Sequence, residues 1–166
     1  MDSAKLNNWV QVIGIFAIVL SLMFVVFQIR QDQVLTRSEL GAGTTENTGN
    51  IQLMAANPDF AKTYSKMVNQ PDELSDDEIV QMHFLLGAVK SSFIRECYLK
   101  ARGVFAECAG MIRYHLPRYF GNAFAKNWWR LNSSPSPFIP DWINDEVAGL
   151  DADTNQQYFM QLRDGL

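Results

Sequence analysis

From Trp9 to Ile29 the chain reads WVQVIGIFAIVLSLMFVVFQI, 21 residues without a charged side chain. As a helix this run spans roughly 31 Å, the thickness of a bilayer's hydrocarbon core. It ends in Phe27-Gln28-Ile29-Arg30-Gln31, with no small-residue cleavage site of the A-x-A type, so it reads as a retained anchor rather than a removed leader. Trp9 stands where interfacial aromatics belong, and Arg30 closes the other end with a side chain long enough to snorkel. The pattern predicts a transmembrane anchor over residues 1–31.

Beyond Arg30 the spacing stays helical through Leu40 and weakens across the glycines and threonines of 41–49. It resumes to Ala56, giving a helical connector over 32–56 with a soft section inside it. Asn57-Pro58 predicts an N-cap and first turn for a helix to about Asn69, ended by Gln70-Pro71-Asp72. Ser75 and Glu78 form a capping box before the principal helix. Along that helix Ile79, Met82, Leu86, Val89, Phe93 and Cys97 share one side, widened by Leu85, Ile94 and Tyr98, which marks a core face. Gly103 is the expected stop. Further helices are predicted from Phe105 to Leu116 with a stop at Pro117, near 121–131, near 140–150 and from Asp151 onward, with a loop at 132–137. No alternating period suggests strands. The fold class is therefore all-α: an N-terminal transmembrane helix extending into a small helical bundle over 57–166.

Charge refines this picture. The net charge of −4 is segregated: residues 31–89 carry three Lys/Arg against nine Asp/Glu, 90–130 carry eight against two, and 132–166 carry one against six. The blocks either neutralise one another within the fold or turn a positive face to headgroups or an acidic partner. Cys97 and Cys108, eleven residues apart, would lie roughly 16 Å apart on one continuous helix, too far for a disulfide, although a break near Gly103 would fold them closer. They read as reduced thiols facing the cytosol. Lys5 precedes the span and Arg30 and Arg37 follow it, so the positive-inside count is nearly tied. The short N-terminal tail is easily translocated and the thiols favour a cytoplasmic body, so the expectation is N-terminus out.

Within the span, Val10, Gly14, Ala17, Ser21, Phe24 and Gln28 recur at helical steps, a stripe whose small centre would let two membrane helices approach. The packing candidates are Gly14, Ala17, Ser21 and Gln28; the interface candidates are Trp9 and Arg30. In the body, cations alternate with aromatics at Arg113, Arg118, Lys126, Trp128, Trp129 and Arg130, which reads either as core with a charged fringe or as a partner or lipid patch.

Catalytic and metal signatures are not found. Glu78, Glu96 and Glu107 are followed three residues later by Gln81, Leu99 and Gly110 rather than histidine. Two histidines and two cysteines lack zinc spacing, and Cys108 and His115 stand roughly 10 Å apart on a helix. Gly41-Ala42-Gly43 has no preceding strand for a phosphate loop. No cofactor, metal, nucleic acid or small-molecule substrate is expected.

The residues Gly14, Ser21-Leu22, Gln28-Ile29-Arg30-Gln31, Asn57-Pro58, Cys97-Tyr98 through Arg102-Gly103, Trp128-Trp129 and Phe138 through Ile143 together resemble an uncharacterised bacterial family of single-pass proteins. The likeness covers most of the chain and departs at Asp32-Gln33, where Asn-Thr would be expected. It implies a helical domain tethered to the bacterial inner membrane and supplies no catalytic residues. The expectation is a non-enzymatic interaction or scaffold protein that self-associates or serves a larger membrane complex. Its rivals are a tethered sensor with a hinge at 41–49 and an enzyme assembled from Arg95, Glu96 and His83.

Overall fold

A computed structural model describes residues 3–133 and 139–165. The described residues form seven α-helices and one short 3-10 turn, with no strand among them. The helices are α1 (Ser3–Ala55), α2 (Pro58–Asn69), α3 (Asp76–Ala101), α4 (Ala109–Phe120), α5 (Ala123–Asn132), α6 (Asp141–Gly149) and α7 (Thr154–Asp164). The chain divides into two compact units, Met1–Ala42 and Gly43–Leu166. The predicted loop at 132–137 lies mostly outside the described residues.

In the first unit every described side chain from Asn8 to Glu39 is exposed, including Phe16, Leu20, Phe24 and Phe27. One helix is long and apolar enough to cross a membrane, and none of its most apolar window is covered by protein.

The expected softening at 41–49 does not interrupt α1, which runs unbroken to Ala55. Packing overrides propensity here. Thr44 and Ile51 are buried in the second unit. Gly43 lies so close to Arg95 that a Cβ would sit 2.8 Å from the guanidinium Nη2. The small residues let a side chain approach the backbone; they do not mark a gap in the helix.

The caps follow the sequence. Asn57 Oδ1 accepts from the amides of Asp59 and Phe60, with Pro58 in the first turn. Ser75 and Glu78 exchange both bonds of the capping box, and Lys66 reaches Glu78 Oε2 at 2.8 Å, joining α2 to α3. That ammonium and the Ser75 amide hold the Glu78 carboxyl below the usual range. On α3 the stripe from Met82 to Cys97 is buried as predicted, whereas Ile79 and Tyr98 at its ends are exposed.

Helix α3 ends in a Schellman motif. Val104 N–H donates to Leu99 O and Gly103 N–H to Lys100 O, both at 2.9 Å, with Gly103 at φ +70°. Residues 102–108 then reverse the chain, so α4 begins at Ala109 rather than Phe105. It also continues through Pro117 to Phe120. Proline removes one backbone bond in the last turn, while Leu116 and Phe120 on either side are fully buried and hold the turn in place.

Helix α7 is tied down by Asn155, which is wholly buried. Its Nδ2 donates to Arg118 O and to Tyr64 Oη, and its amide donates to Gly121 O at 2.9 Å. Gly121 permits this approach, since a Cβ there would meet Asn155 Oδ1 and Thr154 Cβ at 2.8 Å. Replacing Asn155 by alanine removes two side-chain bonds and opens a void, so a loss of about 2 kcal/mol is expected. Urea denaturation of the detergent-solubilised chain reads it; a change below about 0.5 kcal/mol would refute the assignment.

Candidate functional site

The structure distributes the predicted site residues unevenly. Gly14, Ala17, Ser21, Gln28, Trp9 and Arg30 are all exposed along α1. Ser21 Oγ donates to Ala17 O at 2.8 Å, so the hydroxyl in the apolar run is satisfied within its own helix.

The cation–aromatic series is not one surface. Trp128 and Trp129 are core residues, 8% and 4% exposed, contrary to their place in a partner or lipid patch. Their indole N–H groups donate to His83 Nδ1 at 2.9 Å and Asn144 Oδ1 at 3.0 Å. Buried indoles need such partners, and α3 and α6 supply them. Arg113 pairs with Glu146 at 2.6 Å and lies over the Trp142 ring, Arg130 bonds Asn127, and Lys126 holds the carbonyls of Ala148 and Leu150. Arg118 differs: its guanidinium is stacked between the rings of Tyr114 and Tyr158, at 3.9 and 5.1 Å, and has no carboxylate partner among the described residues.

The cysteines overturn the reading of free thiols. Cys97 and Cys108 form a disulfide, with Cα atoms 5.1 Å apart. The geometry that excludes it applies to one straight helix; the Gly103 reversal brings the start of α4 back against the end of α3.

Beside Arg118 the second unit has a half-open pocket of about 270 Å³, with walls from α1, α2, α3, α4 and α7. Rings dominate it: Phe60, Tyr64, Tyr119, Tyr158 and Phe159, with Ile51, Leu85 and Leu162 adding apolar surface. Its polar groups are Arg118, His115, Gln52 and the hydroxyls of its three tyrosines, and no aspartate or glutamate lines it. Burial, helped by the Arg118 charge, pushes the His115 imidazole below its ordinary range, and burial raises the Tyr64 and Tyr119 phenols. Tyr64 Oη is committed to Arg118 O at 2.5 Å, which fixes the turn of α4 that carries the guanidinium.

An adjoining cavity of about 20 Å³ shares Ile51, His115 and Tyr119 and is lined by Glu96. Glu96 is 3% exposed, its Oε2 has no hydrogen-bond partner, and burial pushes its carboxyl up to about 7. The space admits a single water molecule and nothing larger. Arg95 points to Gly43 and His83 to Trp128, so the trio does not assemble; thirteen residues separate His83 from Glu96, roughly 20 Å of helix.

The aromatic cavity was not read from the sequence, because its walls take only one to three residues from each of five helices. Comparison with family models, curated proteins and solved structures yields no match for this chain.

Proposed function

We propose that this chain is a single-pass, membrane-anchored helical interaction module, with its body on the oxidising, extracytoplasmic face of a bacterial cytoplasmic membrane. One observation carries the anchor: a charge-free helical run of 21 residues whose side chains are all exposed. Leaving so many apolar side chains in water costs on the order of 1.5–3 kcal/mol for each large one, and lipid relieves that cost. The Ala17–Ser21 bond supports a helix that meets lipid or a partner helix without a loose polar group, with Gly14, Ala17, Ser21 and Gln28 as the packing stripe.

The cysteines support a choice of membrane side. With Lys5 before the span and Arg30 and Arg37 after it, charge gives little bias, and the expectation of a cytoplasmic body rested on an easily translocated N-terminal tail and on free thiols. A buried disulfide supports the opposite face, since such bridges form and persist outside the reducing cytosol. Interaction rather than catalysis is supported by the dispersal of His83, Arg95 and Glu96.

Carboxy-terminal fusions to alkaline phosphatase and to a green fluorescent reporter test the topology. The expected result is an active phosphatase and a dark fluorophore in the membrane fraction. The reverse pattern would reverse the orientation, and a fusion fully released by washing in carbonate would remove the anchor.

A further inference from the structure

We propose that the aromatic cavity of the second unit binds a small monocarboxylate with an apolar, ring-sized body, the carboxylate resting on Arg118. The inference goes beyond the anchored-module reading and needs neither the anchor nor its orientation.

Size comes first. A cavity of about 150 Å³ takes the six carbons of benzene, about 25 Å³ each, and at that ratio about 270 Å³ holds roughly eleven non-hydrogen atoms. An occupant of one ring with a short acid tail matches that volume. The walls match in kind, because five aromatic side chains offer edge and face contacts to a ring.

Charge then selects the head group. Arg118 is the sole formally charged side chain among the lining residues. The other body arginine and lysine candidates have internal partners: Arg113 on Glu146, Lys126 on the end of α6, Arg130 on Asn127. Arg118 lies over the rings of Tyr114 and Tyr158 instead, on the wall this cavity shares with a neighbouring pocket of about 330 Å³, and has no carboxylate partner among the described residues. A guanidinium so placed accepts a carboxylate through two parallel hydrogen bonds. His115, kept neutral by burial, adds a polar group beside it without a competing negative charge. Glu96 lines the adjoining cavity and not this one.

Isothermal titration of the full chain in zwitterionic nanodiscs tests the site, with empty nanodiscs subtracted. The probes are 3-phenylpropanoate, its uncharged amide and the cationic 3-phenylpropylamine. One equivalent of the carboxylate is expected to bind saturably, with the amide and the amine at least about tenfold weaker, as loss of a charged hydrogen-bond pair requires. Arg118→Gln should bring the carboxylate down to the amide's affinity, and Arg118→Lys should retain part of the difference. Equal affinity for all three probes, or no saturation of the native chain by about 10 mM, the weak end expected for so small a ligand, would overturn the proposal. The probe series on the native chain decides even if the glutamine variant misfolds. A chain that proves not to insert is titrated in buffer, so failure of the anchor and failure of the site remain distinct.

Discussion

Breaking the Cys97–Cys108 bridge is expected to lower the stability of the helical body by about 3 kcal/mol, since a crosslink closing a loop of this length removes about that much chain entropy from the unfolded state. The bridge joins Cys97, four residues before the end of α3, to the residue before α4, and both cysteines belong to the buried core. The paired substitution to alanine avoids leaving buried hydroxyls and should shift the denaturation midpoint as much as reductant does, while the helical signal below the transition is retained. Reductant should have no further effect on the alanine variant. Thiols that react fully with an alkylating reagent in the native folded chain, or a midpoint unmoved by reduction, would show that the bridge is not part of the working structure and would withdraw the topology drawn from it.

A second large effect concerns acidity. The Glu96 carboxyl is almost fully buried, and burial pushes it up to about 7 in the fold, whereas an exposed glutamate ionises near 4.5. Between these two values the folded chain holds a proton that the unfolded chain has lost. Stability therefore falls as pH rises through this window and levels off above about 7, with a total loss on the order of 3 kcal/mol. His115 works in the opposite sense. Its folded value is depressed, so its contribution falls as pH drops below the ordinary imidazole range. Glu96→Gln isolates the carboxyl: the variant should match the native chain near pH 5 and exceed it near pH 8. Parallel profiles for the two proteins would refute the assignment.

How far the sequence carried depends on the range of the forces involved. Local signals were fully legible. The Asn57 cap, the Ser75–Glu78 box, the α3 core stripe from Met82 to Cys97 and the glycine stop at 103 arise from interactions within a few residues. The failures are tertiary. Glycines at 41–49 weaken an isolated helix, but burial of Thr44 and Ile51 outweighs that preference. Pro117 is a stop signal that flanking core residues override. The disulfide was missed even though a break near Gly103 was expected to bring the cysteines closer, because two lone cysteines give no disulfide framework to read.

The charge blocks were visible in the sequence, but not where they go. Much of the positive stretch is satisfied internally: Lys126 meets the end of α6, Arg113 meets Glu146, and Lys90 donates to Asn132 O at 2.5 Å where α5 ends. Each lysine sits at the negative end of a helix dipole, where a cation is favoured. Arg118 stands apart only once these partners are known, so the cavity it serves could not be inferred from composition or spacing.

Phe120 lies between two indoles, its ring centroid 4.8 Å from that of Trp129 and 6.3 Å from that of Trp128, with Phe93 at 6.2 Å on the neighbouring helix. The consequence is optical. Rings locked in so asymmetric a setting produce circular dichroism in the near ultraviolet, and that signal disappears when packing loosens even if the backbone stays coiled. The body thus carries its own gauge, able to distinguish a chain that has merely collapsed from one whose side chains have found their places.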